Sequence, residues 1–313
     1  MEEYDVIIIG AGPAGLSAGL YAARARRRTL LIEKNVTGGQ IALTADIENY
    51  PGIDSINGFD LGQAMQQQAE KHGAEMAYVG VTSIEPQENG LHVVHTDDGD
   101  YVAKAVIVTA GADYNKLAVP GEERLVGHGV SYCGTCDAAF FKDMAVAVVG
   151  GGDAAMDEGL FVARYASKVH VIHRRDELRA SALLRERAFA NEKIDFIWDT
   201  VVDSIDGADD VESLHLRNLK TGDERDFPVS GVFIFIGQTP NSNFLEGLID
   251  LDAGGHAIVN EWMETNVPGI FAAGDIRANS ARQVVASAGD GATAAIRADH
   301  YVSNLQVAEP AKR

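Results

Sequence analysis

The residues of this chain best placed for chemistry are its only two cysteines, in the run Cys133-Gly-Thr-Cys136-Asp137. A Cys-x-x-Cys pair in a cytoplasmic chain is redox-active or metal-binding more often than structural. A closed structural zinc site takes four ligands, often mostly cysteines, and there is no second pair to supply them. The expected chemistry is thiol–disulfide exchange, in which a thiolate attacks. No metal is expected.

A redox pair needs an electron source, and the elements around it supply two nucleotide sites. Residues 5–34 begin with the apolar run Asp5-Val-Ile-Ile-Ile9 and turn through Gly10-Ala-Gly12-Pro13-Ala14-Gly15. A helical stretch follows to about Arg28, then Thr29-Leu-Leu-Ile-Glu33. A buried strand, a Gly-rich turn, a helix and a second strand ending in an acid make a dinucleotide-binding β-α-β unit. Gly10 permits the tight turn, Gly12 lets the backbone approach a pyrophosphate, and Gly15 lets the helix pack on the strand. The pyrophosphate lies at the helix N-terminus, and Glu33 accepts from a ribose 2′-hydroxyl.

Residues 145–175 repeat the pattern, with Gly150-Gly-Gly152-Asp153-Ala154-Ala155 after a buried strand and His173-Arg174-Arg175 after the next. With Gly10 set on Gly150, Glu33 falls on His173. Two guanidinium groups in place of an acid suit a ribose 2′-phosphate. The first unit therefore predicts a flavin site and the second an NADP site, unless the arginines are only a solvated strand end. Arg179, one helical turn further on, is placed to join them.

Thr37-Gly38-Gly39-Gln40 either brings backbone amides to the flavin or is a plain surface turn. Residues 61–72 have the spacing of an amphipathic helix, and the alternation around 91–108 predicts a β-meander. Buried runs at 105–108 and 231–237 lead into Gly111 and into Gly237-Gln-Thr-Pro-Asn241. These are places for the chain to leave one domain and re-enter it. The expected fold is α/β, with two Rossmann-like, three-layer ββα domains. A domain of residues 116–241 is inserted into one made of 1–115 and 242–313. Gly274-Asp275 ends a further strand. Asp275 has a usual ligand position there, or caps the helix that runs to about Tyr301. Arg24, Arg26, Arg27 and Arg28 are expected to end the first helix, and residues 308–313 to fray.

The net charge of −20 argues against nucleic-acid or anionic-lipid partners. It fits either an ordinary acidic surface or a salt-rich cytoplasm. No apolar run is long and clean enough to span a membrane, and the start Met-Glu-Glu-Tyr is acidic where a signal peptide is basic. A soluble, cytoplasmic protein is expected.

Taken together, these segments resemble the low-molecular-weight thioredoxin reductases, over nearly the whole chain. The likeness rests on the first Gly-rich turn, Gly38-Gly39-Gln40, the cysteine pair, Gly150-Gly-Gly152-Asp, His173-Arg-Arg-Asp, Gly274-Asp275 and Arg282-Gln283-Val284. The pair precedes the second nucleotide unit, as in that family. Gly134 departs from the Ala that many members carry.

The resemblance implies FAD and NADPH as cofactors, thioredoxin or a thioredoxin-like protein as partner, and a homodimer. It adds Asn49, Gly111, Arg282, Gln283 and Val284 to the FAD set and Gly237 to the NADPH set. It implies that Cys136 faces the flavin, that Cys133 attacks the partner disulfide and that Asp137 is the general acid/base, although Asp137 would also serve as a helix N-cap. It further implies that one domain rotates against the other, about crossings near Leu117 and Asn241. Two other functions remain open: the same scaffold with another acceptor (a small dithiol with oxygen, or another disulfide carrier), and a non-catalytic flavin sensor. The His173-Arg174-Arg175 site counts against a pure oxidase.

Overall fold

The first strand shows why each unit is layered. Its side chains alternate between the two faces of a sheet. Val6 and Ile8 enter a core with the helical residues Leu16, Ala18 and Ala22, whereas Ile7 and Ile9 enter another with Ile84, Val94 and Leu245. A strand apolar on both faces must be covered on both. Each fully buried Ile contributes about 1.5–3 kcal/mol of apolar transfer.

The computed structural model describes residues 1–44 and 47–308. The chain divides into two compact units, Met1–Asp113 with Thr239–Arg313, and Tyr114–Gln238.

The first unit opens with β1 (Glu2–Ile9), α1 (Pro13–Arg24) and β2 (Thr29–Glu33). Next come α2 (Gly58–Lys71) and β3 (Glu75–Tyr78), and then β4 (Val81–Pro86), β5 (His92–Thr96) and β6 (Gly99–Val108). Strands β3, β2, β1 and β6 are parallel neighbours in that order. The meander β4-β5 folds back antiparallel onto the first half of β6. The amphipathic helix starts earlier than its apolar spacing suggests, because the Asn57 side chain accepts the Phe59 amide at 3.0 Å and caps it.

The first helix stops at Arg24, not near Arg28. The Arg26 amide bonds Ala23 O and the Arg27 amide bonds Ala22 O, with Arg26 at φ 61°. This is a Schellman closure with an arginine where glycine is usual. Only Arg24 therefore belongs to the helix.

The chain crosses to the second unit through β7 (Ala112–Tyr114), and that unit contains β8 (Val130–Ser131), α3 (Gly134–Asp137), β9 (Ala145–Val149), α4 (Asp153–Val162) and β10 (Lys168–Ile172). It continues through α5 (Ala182–Ala190), β11 (Ile194–Ile197), β12 (Thr200–Asp206), β13 (Ser213–Asn218), β14 (Glu224–Pro228) and β15 (Val232–Ile234). A parallel sheet runs β11-β10-β9-β15-β8. The layering of the first unit recurs. Val146 and Val148 pack with Met156 and Val162, whereas Ala147 and Val149 pack with Val202, Leu214 and Leu216 of the antiparallel sheet β12-β13-β14.

The return crossing is β16 (Gln238–Pro240), which pairs with β7 as a two-stranded ribbon. The Asn115 amide donates to Gly237 O and the Asn241 amide to Gly111 O, each at 3.0 Å. Back in the first unit, β17 (Ile270–Ala272) adds parallel to the last residues of β6, and α6 (Val284–Ala308) packs along α1. That helix passes Tyr301, since residues 302–308 contain neither Gly nor Pro. It includes Ala308, and the remainder of the expected frayed end, 309–313, lies outside the described residues.

Candidate active site

Both Gly-rich turns are built alike. The Gly10 amide donates to Ile32 O at 2.8 Å, and the Gly150 amide to Ile172 O at 3.2 Å. Each therefore ties the turn to the neighbouring strand. Both glycines have positive φ, and a β-carbon on either would strike the backbone of an adjoining segment. The third position differs for a packing reason. A β-carbon on Gly15 would fall on Gly10 O, whereas Ala155 carries its methyl fully buried.

The second glycine of each turn faces open space. A β-carbon on Gly12 would meet nothing nearer than Gly38 O at 4.0 Å, and one on Gly152 would meet nothing within 4 Å. Gly12 and Gly152 are also the N-caps of α1 and α4, and neither helix has a side-chain cap. Pro13 and Ala14 follow Gly12 into α1, as Asp153 and Ala154 follow Gly152 into α4. These are open cradles at helix N-termini, and they fit a dinucleotide pyrophosphate.

Glu33 ends β2 beside the first turn. Its carboxylate accepts the Ala11 and Asn35 amides, both at 2.8 Å, and retains lone pairs for ribose hydroxyls. Gly38 is tied to the same turn by its amide to Ala11 O at 2.8 Å. A β-carbon on Gly39 would lie 3.4 Å from the Gly12 Cα, so this loop runs against the Gly-rich turn. Gln40 donates to Asp113 at 2.7 Å, two residues after Gly111. Asn49 donates to the Gln283 side chain at 3.2 Å, which joins two segments far apart in sequence. Arg282 and Val284 flank Gln283, and α6 starts at Val284. A β-carbon on Gly274 would approach Ala14 Cβ to 2.9 Å, which brings the end of β17 to α1. Asp275 accepts the Ser280 and Ser287 hydroxyls at 2.8 and 3.3 Å. Its side chain bonds these hydroxyls and caps no helix amide, because α6 begins well after it.

In the second unit, His173 is buried at the end of β10 with its Nε2 lacking a partner. Burial, helped by the charges of Arg179, Arg175 and Arg174, pushes this imidazole below its usual range. Gly151 has no room for a β-carbon because the His173 ring lies against it. The Arg179 and Ala180 amides donate to Gly151 O at 2.7 and 3.2 Å, and Asp153 accepts the Ser181 amide at 2.6 Å. Arg179 is thereby held at the turn. The guanidinium groups of Arg174, Arg175 and Arg179 are exposed and meet no carboxylate among the described residues. Free guanidinium groups and an orphaned imidazole nitrogen beside an open turn fit a phosphorylated ribose.

Cys133 and Cys136 form a disulfide whose Cα atoms are 5.3 Å apart, at the start of the single-turn α3. Asp137 ends that turn without capping a helix by its side chain. Its Oδ2 instead accepts the Ser131 hydroxyl at 2.6 Å, and Ser131 Oγ accepts the Cys133 amide at 3.1 Å. Burial pushes the Asp137 carboxyl above its usual range, and the Ser131 bond partly opposes this. A carboxyl that holds its proton more tightly than usual, next to a cysteine pair, is suited to giving a proton to a leaving thiolate.

Two residues of this centre have no sequence signal of their own. Ser131 is a lone serine in a short strand. Glu158, whose carboxylate accepts the Thr135 amide at 3.0 Å, lies in α4 and reaches the cysteine loop only through packing. The order Ser131–Cys133 within two residues is the one local clue to the first.

The fold and site define a class: a flavin- and pyridine-nucleotide-type scaffold of two dinucleotide units, one of them bearing a redox disulfide. The model of the pyridine nucleotide-disulphide oxidoreductase family matches residues 4–291, and the chain belongs to that family. It is an oxidoreductase whose cofactors are FAD and NADPH. Among similar proteins, the thioredoxin reductase of Bacillus subtilis is 49% identical over 304 residues, covering 97% of this chain and 96% of that protein. The thioredoxin reductase of Listeria innocua is 48% identical, with coverage of 97% and 96%. The crystal structure of thioredoxin reductase from Streptococcus pyogenes superposes with a TM-score of 0.93 at 46% identity, covering 96% of this chain and 99% of that one. No helix among the described residues is long and apolar enough to cross a membrane.

Proposed function

We propose that this chain is an NADPH-dependent thioredoxin-disulfide reductase. The carrying observation is the Cys133–Cys136 disulfide with Ser131 and Asp137 bonded around it, in the unit that also presents the arginine site. The naming of its near relatives supports the same acceptor.

Bound FAD supplies two-electron chemistry between NADPH and the disulfide. Glu33, the Gly10–Gly15 turn, Gly38 and Gly39 would hold its nucleotide portion, joined by Asp275 after β17 and by the Arg282–Val284 segment at the start of α6. The turn at Gly150–Ala155 with His173, Arg174, Arg175 and Arg179 would hold NADPH. In the reduced pair, Cys133 is the thiol that attacks the incoming disulfide and Cys136 the one that resolves the mixed disulfide. Asp137 supplies the proton to the departing thiolate, held in place by Ser131.

The reading includes residues 1–115 with 242–313 as the FAD domain and 116–241 as the NADPH domain. It also includes a cytoplasmic location and a two-fold dimer, the commonest closed assembly. Light scattering on the purified protein gives the mass that checks the dimer. The activity is tested by anaerobic titration with NADPH and NADH separately, followed by thiol counting on a purified thioredoxin. NADPH should bleach the flavin at far lower concentration than NADH, and thioredoxin thiols should then appear.

A further inference from the structure

The loop between the two sulfurs is gripped by a carboxylate from another helix. Glu158 Oε2 in α4 lies 3.0 Å from the Thr135 amide. Thr135 lies between the two cysteines, and its hydroxyl is 3.5 Å from Cys133 Sγ. Gly134, the other residue between them, is buried and does not have positive φ. A glycine's conformational freedom is therefore not what this position uses. A β-carbon there would fall on the Glu158 carboxylate oxygen and press on Val162 Cγ2 at 3.1 Å. Glycine leaves open the space that the carboxylate fills.

The charge matters as much as the grip. Reduction breaks the S–S bond and adds two electrons, which the NADPH-dependent activity supplies. It also adds two protons, or only one where a thiol stays ionised. In a Cys-x-x-Cys loop the backbone amides that follow the first cysteine are the natural stabilisers of a thiolate, and a low thiol pKa makes such a pair more oxidising. Here the Thr135 amide is already taken by an anion. A fixed negative charge beside a thiolate disfavours it. Two acids are bonded to this loop, Glu158 from α4 and Asp137 through Ser131 of β8.

We propose that Glu158 is a positioning residue that keeps the Cys133–Cys136 pair strongly reducing, by fixing the Thr135 backbone and opposing thiolate formation, in the space left by Gly134. This rests on the pair being the redox centre of the proposed function, and it is independent of which disulfide the pair reduces.

The test uses the full-length, FAD-loaded protein and its Glu158→Gln variant, which keeps the shape and the hydrogen-bond acceptor but loses the charge. Both are equilibrated at mildly alkaline pH in dithiothreitol thiol/disulfide buffers, trapped by alkylation and quantified by mass. The pH dependence of thiol alkylation in the reduced proteins is recorded as well. The variant should move about tenfold toward the dithiol, equivalent to roughly 30 mV less negative, and its alkylation profile should shift to lower pH. Gly134→Ala should shift both readouts the same way, because its methyl displaces the carboxylate. If Glu158→Gln matches the parent within twofold in the equilibrium and shows the same alkylation profile, the proposal is overturned, whatever its melting temperature. Failure of the functional reading shows separately, as a parent protein that cannot pass electrons from NADPH to thioredoxin.

Discussion

The Ser131 hydroxyl donates to Asp137 at 2.6 Å while its oxygen receives the Cys133 amide at 3.1 Å. One buried serine thus links the proposed proton donor to the backbone of the proposed nucleophile. Burial raises the Asp137 pKa, so its protonated fraction falls as pH climbs through that raised value. Disulfide reduction should weaken on the alkaline side accordingly. Ser131→Ala removes the one bond that favours the carboxylate, so the alkaline limb should move to higher pH. Asp137→Asn should slow thioredoxin reduction by roughly a hundredfold to ten-thousandfold and leave flavin content unchanged. Steady-state pH profiles of the three proteins check this.

The same shift has a consequence for stability. The folded-state pKa of Asp137 lies above its unfolded value, so its favourable contribution is present in acid and is lost as pH rises through the folded pKa. Asp137→Asn should therefore melt at a higher temperature than the parent at neutral pH. That advantage should vanish below the ordinary carboxylate range, where both side chains are neutral. Thermal melts at the two pH values decide it.

Arg174 and Arg175 are the residues proposed to select NADPH over NADH. A charge-assisted hydrogen bond is worth about 1.5–3 kcal/mol. Replacing both arginines by Ala should lower kcat/KM for NADPH by about two to four orders of magnitude, with little change for NADH. The ratio of the two specificity constants is the measurement. An unchanged ratio would place both side chains in solvent with no phosphate to hold.

Glu33 is expected to act on the flavin side alone. Its carboxylate organises the Ala11 and Asn35 amides and is the group proposed to accept from the FAD ribose. Glu33→Ala should weaken FAD binding by roughly tenfold to a hundredfold, on the order of one charge-assisted bond. The disulfide should still react with dithiothreitol. Fluorescence of released FAD during dilution reports the loss.

Glu122 is fully buried, and its carboxylate accepts the Leu117 amide at 3.0 Å, the Ala118 amide at 2.7 Å and the Tyr132 hydroxyl at 2.8 Å. Ala118 has φ 57°, a conformation these bonds help to hold. Glu122→Ala leaves buried donors unpaired at about 1–3 kcal/mol each. It should destabilise the second unit while FAD binding persists, seen as an earlier unfolding transition in calorimetry.

The parts of this molecule written in local sequence are those where one residue type does one job. Gly10 and Gly150 must adopt positive φ, and the paired strands around them are apolar on both faces, so both nucleotide units were legible as repeats. The expected helix end near Arg28 fails because a Schellman closure does not need glycine when an arginine tolerates φ 61°. The antiparallel sheet β12-β13-β14 covers a face of the second unit without carrying any motif. Ser131 and Glu158 reach the disulfide from β8 and α4, and only the packing of those elements brings them there. Gly134 reads as a departure from a pattern in the sequence. In the fold it is the space that Glu158 occupies.

The most direct test follows NADPH oxidation and thioredoxin thiols together under anaerobic conditions, with the parent protein and with Cys133→Ser. The parent should produce a pair of thioredoxin thiols for each NADPH consumed, and Cys133→Ser should retain FAD while producing none. Thioredoxin thiols formed at the parental rate by Cys133→Ser, or NADPH consumed by the parent with no thiols formed, would contradict the account.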